Sequence, residues 1–570
     1  MTPTSLSGSN SLGSAQYKTD EKARLVRSEP LFVSSGDDTC RIWRPKIVLG
    51  IIGLVLMGAL VALVVPAFVG QVKDTSSQKQ ESSSSQMNFV SVEGTQFLEG
   101  QRIFYVSGVN IDSLVEAAIP VVQAKLAGEG KNSVQMIRDV LDDISSGGFN
   151  VIRTWAHTVD PAHPMQVKPG RYDESVLQAL DLVIAECGKR GLRLILSLAD
   201  SWRYRGGVME YLDWSSTMPK RPLQYPPVLL DGDFDYDKLK PDQQDYELKR
   251  RAQFYVDKDA KDFYKGHMRT LLNRKNTYTG IKYKDDPAIF AFGLLNEPRC
   301  HIELVPDCQE KVQTWLVEMT KYFRSIDSQH LLTIGEEGFY SENESSIQSN
   351  PGHSGKKGGW AHLQGQDFIK NHAIEGISYA SIHAWPDNWN ETRSFLSNWI
   401  DVHSKDSKNI LGKPLLVEEV GKSLSPAPAS SSIIANQRDS LVKAVYEQVG
   451  NSIQNQGALQ GSLLWELSFK LYDASPYSTY GISVTDSTFY IATQHSRRIR
   501  AMAIKSVGGH NTMQLEYWYG EESMVGFRRR CKSAEFKTSS PMFDPGMIVF
   551  ATRDLCCKRG TGAFRNGCTY

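Results

Sequence analysis

The feature that most constrains the fold of this chain is a series of eight short apolar runs. They lie at residues 103–109, 150–155, 192–198, 289–295, 331–335, 377–383, 415–420 and 461–467. Near-continuous apolar residues are typical of strands buried on both faces, as in parallel sheets. The segments between the runs carry helical signals. Asp173 precedes an apolar stripe that stops at Gly188, and Asp307 precedes a second stripe of the same kind.

Strands that alternate with helices predict parallel βα units, and eight of them predict an α/β protein with a closed (β/α)8 barrel, or TIM barrel, over residues 88–505. An open doubly wound sheet is the structural alternative. No Gly-x-Gly-x-x-Gly follows the first run, so nothing supports dinucleotide binding. The 570-residue chain has a formal net charge of +0, which does not indicate nucleic acid as a partner.

An uncharged apolar segment at residues 47–70 is long enough to cross a bilayer. It is too long, and starts too late, for a cleaved signal peptide. Arg41, Arg44 and Lys46 precede it, and the positive-inside rule then places residues 1–46 in the cytosol. We therefore predict a single transmembrane signal-anchor in front of the barrel, and a type II membrane protein with a lumenal or extracellular barrel. Secretion after cleavage is the alternative.

The segments on either side of the predicted barrel have a different composition. Residues 71–87 form a Ser/Gln linker, and residues 506–570 form a Cys-containing extension of unknown role. Sequons at Asn343 and Asn390 are compatible with a lumenal barrel. Cys300 and Cys308 are close in sequence and are the expected disulfide, with two free buried thiols as the alternative. The cysteine spacing does not support a zinc site, and we expect no metal and no cofactor.

Carboxylates follow several of the predicted strands. One run leads into Asn296-Glu297-Pro298, and another contains Glu418-Glu419. Catalytic groups of such barrels collect at the carboxyl ends of strands, and a retaining glycosidase needs two carboxylates there. The pair Glu336-Glu337 and the residue Glu466 are further candidates. Successive strand residues point to opposite faces, so we expect only one of each adjacent pair to point inward. Position alone does not choose between them.

Three motifs carry a family resemblance: Asn-Glu-Pro at 296–298, Ser-Ile-His-Ala-Trp-Pro-Asp-Asn-Trp at 381–389, and Glu-Val-Gly-Lys-Ser at 419–423. They resemble glycoside hydrolase family 5, and within it the plant-type endo-β-1,4-mannanases. The similarity runs from about residue 94 to about residue 496 and includes Arg-Thr-Trp at 153–155. It implies an enzyme that cuts internal β-1,4-mannosidic bonds of mannan, glucomannan or galactomannan with retention of configuration and without a cofactor.

The resemblance also implies roles for single residues. Glu297 is expected to be the acid/base and Glu419 the nucleophile. The expected substrate-binding and nucleophile-positioning residues are Arg153, Trp155, Trp202, Asn296, His383, Trp385 and Trp465. Two positions depart from the family pattern. Trp385 stands where the family usually has a tyrosine whose hydroxyl donates to the nucleophile, and Glu418 stands where an alanine or similar residue is common. We expect Glu418 to face the helix layer.

Other functions fit the same motifs. A β-1,4-glucanase or a mannan transglycosylase would use the same site, and a non-catalytic glycan-binding ectodomain would keep the cleft without the chemistry. The intact Asn296, Glu297, Glu419 and Arg153 argue against the last alternative, and Trp385 is its only support. The expected partners are therefore a β-mannan-type polysaccharide and, through residues 47–70, a membrane.

Overall fold

The fold is taken from a computed structural model. It describes residues 87–122, 133–202, 204–225, 239–342, 345–352, 359–424, 431–468 and 479–507. The predicted anchor at 47–70 lies outside these residues, as do almost all of the predicted linker and C-terminal extension. Within the described part of the chain, every helix is too short or too polar to span a bilayer.

Eight parallel strands form the centre of the structure, and each overlaps one of the eight predicted runs. They are β1 (Val106–Asn110), β2 (Val151–Trp155), β3 (Arg193–Ser197), β4 (Ile289–Gly293), β5 (Leu331–Thr333), β6 (Ala380–Ala384), β7 (Leu415–Val420) and β8 (Leu459–Leu464). Every residue of these strands is buried, which accounts for their continuous apolar character.

The strands follow one another around a near-closed barrel. Parallel pairing runs in the order β5, β4, β3, β2, β1, β8, β7, β6. Backbone hydrogen bonds cross the remaining gap between β5 and β6. Ser378 N, just before β6, donates to Leu332 O at 2.8 Å, and His383 N donates to Glu337 O, beyond β5, at 3.2 Å. This arrangement is that of a (β/α)8 barrel.

One helix follows each strand. These helices are α1 (Ser133–Gly147), α2 (Glu174–Gly188), α3 (Lys258–Asn273), α4 (Cys308–Arg324), α5 (Phe368–His372), α6 (Arg393–Asp406), α7 (Ser431–Gln454) and α8 (Ser487–Val507). Further helices at Leu114–Ala117, Val208–Trp214 and Pro241–Arg251 lie in the connections. Asp173, which precedes the predicted helical stripe, caps α2, since its side chain accepts a hydrogen bond from Ser175 N at 2.9 Å and satisfies a donor at the start of the helix.

A small antiparallel sheet precedes the barrel and closes one end of it. Its strands are Val90–Glu93, Gln96–Glu99 and Arg102–Ile103. Phe97 is fully buried and packs edge-on against Phe290 and Tyr379, with ring centroids 5.3 and 5.4 Å away. These rings join the side chains that fill the barrel interior near the amino ends of the strands, among them Val106 and Val151. The amino end of the barrel is therefore a packed floor.

The predicted cysteine pair lies just beyond β4. Cys300 and Cys308 form a disulfide with Cα atoms 5.7 Å apart, and the bond joins the loop after β4 to the first residue of α4. Cys187 is buried in α2 as a free thiol. Of the two sequons, Asn390 is exposed, whereas Asn343 lies outside the described residues.

A buried ionic network fastens α2 to the segment before β4. Asp181 is fully buried and accepts hydrogen bonds from Arg274, at 2.9 and 2.7 Å, and from Tyr283 OH at 2.6 Å. Thr277 adds a backbone and a hydroxyl donor to the same carboxylate. The other side of the Arg274 guanidinium pairs with Glu174, whose side chain is 59% exposed.

We expect Asp181→Ala to destabilise the barrel by about 3–5 kcal/mol, because it removes the buried partner of both the largely enclosed Arg274 guanidinium and the fully buried Tyr283 hydroxyl. Urea unfolding followed by circular dichroism measures this loss. Glu174→Ala is the matched control, since it removes an exposed partner of the same arginine and should cost less than about 1 kcal/mol. Equal losses in the two variants would contradict the assignment of Asp181 as the structural anchor.

Candidate active site

The loop after β4 places two of the predicted residues at the mouth of the barrel. Asn296 N donates to Ala199 O at 2.9 Å, and Glu297 N donates to Gly335 O at 2.7 Å, so the loop is held between the carboxyl ends of β3 and β5. Glu297 has a φ of 46°, a left-handed conformation that is uncommon for residues other than glycine. Backbone of this kind persists where surrounding structure imposes it, often at functional sites.

The carboxylate of Glu297 has a partner on each oxygen. His383 Nδ1 lies 2.6 Å from Oε1, and the indole N–H of Trp202 donates to Oε2. Two guanidinium groups lie over the Trp202 ring, that of Arg299 at 4.7 Å and that of Arg251 at 5.3 Å from its centroid. Cations over an indole face are attracted by the ring quadrupole, so they hold this donor in place.

The carboxylate of Glu419 lies on the opposite side of the mouth and has a different partner. Arg153 Nη1 donates to its Oε1, and His383 Nδ1 lies 3.5 Å from its Oε2. One carboxylate oxygen from each of Glu297 and Glu419, together with a ring nitrogen of His383, lie within 4.8 Å of one another. The two glutamates predicted to be catalytic therefore face each other, with an oxygen of one within 4.8 Å of an oxygen of the other.

Beneath these carboxylates, Arg153 of β2 connects the end of its own strand to the ends of β1, β4 and β7. Besides Glu419, its guanidinium donates to Asn110 Oδ1 at 3.1 Å and to Asn296 Oδ1 at 2.7 Å. Asn296 Nδ2 in turn donates to Asp200 Oδ1 at 3.3 Å. The sequence interpretation did not identify Asn110 and Asp200. Their one signal is position, since both follow apolar runs at the ends of β1 and β3.

Burial dominates the electrostatics of the site. It raises the pKa of Glu297 and that of Glu419, although Arg299 opposes the rise for Glu297 and Arg153 opposes it for Glu419. Burial also lowers the pKa of His383 to about 3, so its imidazole is neutral at neutral pH. Two close, buried carboxyls with raised pKa values favour a state with one shared proton. The contact with Arg153 favours Glu419 as the carboxyl that carries the negative charge.

Glu418 does not face the helix layer, and that prediction was wrong. The pairing of β6 with β7 passes from Ile382–Val417 to His383–Glu419, so Glu418 is the extra residue of a bulge. Its buried carboxylate accepts a hydrogen bond from Tyr379 OH at 2.7 Å, inside the barrel. A bulge breaks the alternation of faces, which is why two successive glutamates both point toward the barrel interior.

The other adjacent pair, Glu336 and Glu337, does alternate. Glu336 points to the helix layer, where Asn371 of α5 donates to it at 2.9 Å. Glu337 points to the mouth and pairs with Arg299 at 2.5 Å. Arg299 thus stands between Glu337 and the ring of Trp202, and it connects the end of β5 to the surroundings of Glu297.

Aromatic rings line the other side of the mouth. Trp155 and Trp465 have centroids 6.0 Å apart, and Trp465 packs edge-on against Trp385 at 5.9 Å. Tyr480, which the sequence interpretation missed, packs edge-on against Trp385 at 5.2 Å. Within the described residues, no hydrogen bond joins the Trp385 indole to Glu419. The tyrosine donor that the family resemblance implies is therefore not reproduced by Trp385.

Glu297, His383 and Glu419 are also the one cluster of potential metal-ligating side chains in the described part of the chain. Their donor atoms are already engaged, because Arg153 contacts Glu419 and Trp202 donates to Glu297. A divalent cation between them would lie next to the buried guanidinium, which already neutralises one carboxylate. The donor set therefore suits proton transfer better than metal binding.

Comparison with known proteins agrees with this geometry. A family model described as GH family 5 beta-mannosidase-like matches residues 87–470. Mannan endo-1,4-beta-mannosidase 1 of Arabidopsis thaliana is 36% identical over 389 residues, which cover 67% of this chain and 82% of that protein. Mannan endo-1,4-beta-mannosidase 7 of the same plant is 32% identical over 421 residues, which cover 72% of this chain and 85% of that protein.

Solved structures show the same fold at lower identity. The family 5 mannosidase of Rhizomucor miehei superimposes with a TM-score of 0.57 at 19% identity, covering 74% of this chain and all of that one. The endo-1,4-beta-mannanase of the same organism gives a TM-score of 0.52 at 22% identity, with 73% of this chain and 100% of that one covered. The match of the family model and the identity to the plant proteins place the chain in a family of glycosidases: it belongs to glycoside hydrolase family 5.

Proposed function

We propose that the protein is an endo-acting mannanase that cleaves internal β-1,4-mannosidic bonds of mannan, glucomannan or galactomannan with retention of configuration. The observation that carries the proposal is the facing pair of buried carboxylates, Glu297 and Glu419, with oxygens within 4.8 Å of each other and an arginine on one of them. Carboxyl groups of retaining glycosidases are about 5–5.5 Å apart, whereas inverting enzymes need a wider gap for a water molecule. The similar plant proteins are mannan endo-1,4-beta-mannosidases, and this supports mannan as the substrate class.

The two carboxyls take different roles because their surroundings differ. Glu297, held by His383 and Trp202, carries the shared proton and donates it to the oxygen of the leaving sugar. Glu419, held ionised by Arg153, attacks the anomeric carbon, so the glycosidic bond breaks as a glycosyl ester forms. Glu297, now a carboxylate, then removes a proton from a water molecule, and the water oxygen attacks the anomeric carbon and cleaves the ester. Glu297 is again protonated and Glu419 is again a free carboxylate.

The side chains around the pair position the sugar. Asn296 is fixed by Arg153 and Asp200, so its amide is oriented before substrate binds. An amide in this place can hydrogen-bond the hydroxyl next to the reacting carbon, an interaction that strengthens in the transition state. Trp465 and Trp385 offer apolar ring surface for a pyranose.

The first test separates the two carboxylates on mannan. We expect Glu419→Ala to abolish hydrolysis, because no glycosyl ester can form, and added azide should yield at most the inverted glycosyl azide. We expect Glu297→Ala to form the ester from substrates with good leaving groups, and azide should then accelerate turnover and give a product of retained configuration. Reducing-end release and NMR of the azide product measure both effects.

Two controls complete this test. Glu337→Gln and Glu418→Gln alter the neighbouring carboxylates, and Glu418→Gln should be the milder change. Cellulose and xylan, assayed beside purified mannans, report the substrate class. Preferential cleavage of cellulose, or an active Glu419→Gln beside a dead Glu418→Gln, would overturn the proposal.

The second test concerns Trp385. We expect Trp385→Tyr to keep or raise turnover on mannan, because a phenol can supply the donor to Glu419 that the indole does not supply. Trp385→Phe is the matched control, since it has the smaller ring without the hydroxyl and should be slower than the tyrosine variant. A tyrosine variant more than about tenfold slower than wild type, or about 1.4 kcal/mol of barrier, would show that packing against Trp465 and Tyr480 requires the indole.

We also propose, from the sequence alone, a type II membrane topology with residues 47–70 as the anchor. The catalytic domain should then be glycosylated and protected from protease in sealed microsomes, and Asn390→Gln should remove one glycan because this sequon is exposed. Western blotting after protease treatment with and without detergent measures the protection. Digestion of the domain without detergent would reject the topology, and an N-terminally trimmed product in the medium would indicate secretion after cleavage.

A further inference from the structure

Glu418 is a fully buried carboxylate that the proposed mechanism does not use. The bulge in β7 places it one residue before Glu419 and on the side of the barrel floor. Its Oε1 accepts the hydrogen bond from Tyr379, and its Oε2 makes no hydrogen bond with any described residue. Among the described residues, Arg153 is the one cation close to Oε2, with Nε at 3.8 Å. A buried carboxylate of this kind is costly unless a charge or a donor compensates it.

Arg153 is consequently held from two directions. Its Nη1 contacts Glu419 and its Nε faces Glu418, so one positive charge lies between two carboxylates on adjacent residues. Asn110 connects the same groups, because its amide donates to Glu418 O at 2.8 Å while its oxygen accepts from Arg153. The guanidinium is planar and rigid, so fixing its Nε edge also fixes the edge that meets the nucleophile.

Tyr379 fixes the position of the Glu418 carboxylate through its hydroxyl. Burial, followed by the neighbouring Glu418, raises the pKa of this phenol well above its usual value. The hydroxyl therefore remains a donor throughout the working range of a hydrolase.

We propose that Glu418 is a positioning residue for the nucleophile: it holds the guanidinium of Arg153 against Glu419 and keeps a second negative charge beside that nucleophile. The inference rests on the proposed function, since it takes Glu419 as the nucleophile. The charged and titratable groups that face this pair are Arg153 from β2, Asp200 beyond β3, Glu297, Arg299 and Glu337 beyond β4 and β5, and Tyr379 and His383 from the β6 segment. Among them, Arg153 and Tyr379 contact Glu418.

If this proposal is correct, removing the charge of Glu418 shifts the pH profile of kcat/KM. The acid limb of kcat/KM reports the ionisation of the nucleophile in the free enzyme. Glu418→Gln keeps the size of the side chain but removes a negative charge that disfavours ionised Glu419. We expect the acid limb on mannan to move to lower pH by about one unit, the low end of what a close charge produces in a buried site. A purely structural role would lower stability without moving this limb.

Two further variants make the test specific. Tyr379→Phe removes the donor that fixes the Glu418 carboxylate. The negative charge beside Glu419 is then held less closely, so the acid limb should move in the same direction by a smaller amount. Glu336→Gln is the matched control, because this carboxyl is also buried at a strand end but points to α5. Burial raises the pKa of Glu336 to about 8, so it is already protonated at the acid limb and its variant should superimpose on wild type.

A second measurement is independent of steady-state turnover. A 2-deoxy-2-fluoro mannoside with a good leaving group labels the nucleophile of a retaining enzyme, and intact mass reports the rate of labelling at each pH. Labelling of Glu418→Gln should extend to lower pH than labelling of wild type. Thermal unfolding in the same buffers shows whether each variant is folded. If Glu418→Gln does not fold, the pH profile of Tyr379→Phe tests the inference instead.

The inference is overturned if the acid limb and the labelling profile of both Glu418→Gln and Tyr379→Phe coincide with those of wild type. Failure of the proposed function would look different. The wild-type protein would then leave mannan intact and take up no label at Glu419. A shift in Glu418→Gln that Glu336→Gln also shows would likewise reject the specific role of Glu418.

Discussion

The buried guanidinium of Arg153 is the interaction on which the arrangement of the site depends. A charge without access to water is tolerated only when hydrogen bonds and opposite charges surround it. Arg153 obtains them from Asn110, Asn296, Glu418 and Glu419, which come from the ends of β1, β4 and β7. The same contacts that stabilise the cation therefore fix the distances between strand ends, and the catalytic geometry follows from the folding of the barrel.

Two identical side chains acquire different properties in this setting. Glu419 faces a permanent cation, whereas Glu297 faces a neutral imidazole and an indole N–H. Roles of acid and nucleophile in a carboxylate pair arise from such contrasts in surroundings rather than from the side chains themselves. The two arginines over the Trp202 ring act on Glu297 indirectly, through the orientation of the indole.

The barrel and the facing glutamates at its mouth were accessible from the sequence for a physical reason. Strands buried on both faces must be apolar throughout, so Ile289–Gly293 and its counterparts stand out, and the first carboxylate beyond such a strand is easily found. Glu418 was misplaced because a bulge changes the register of β7 through pairing with neighbours, which leaves no local mark in the sequence. Asn110 and Asp200 escaped notice because single polar residues at strand ends are common.

The first described residues of the chain pack at the closed, amino end of the barrel. Phe89 rests against His330, just before β5, and Val90 joins the interior near the amino ends of the strands. The facing carboxylates of Glu297 and Glu419 lie at the opposite, carboxyl end. The first described residues thus lie at the closed end of the barrel. They are on the side away from the open face, where a substrate as long and stiff as a polysaccharide chain would meet the two glutamates.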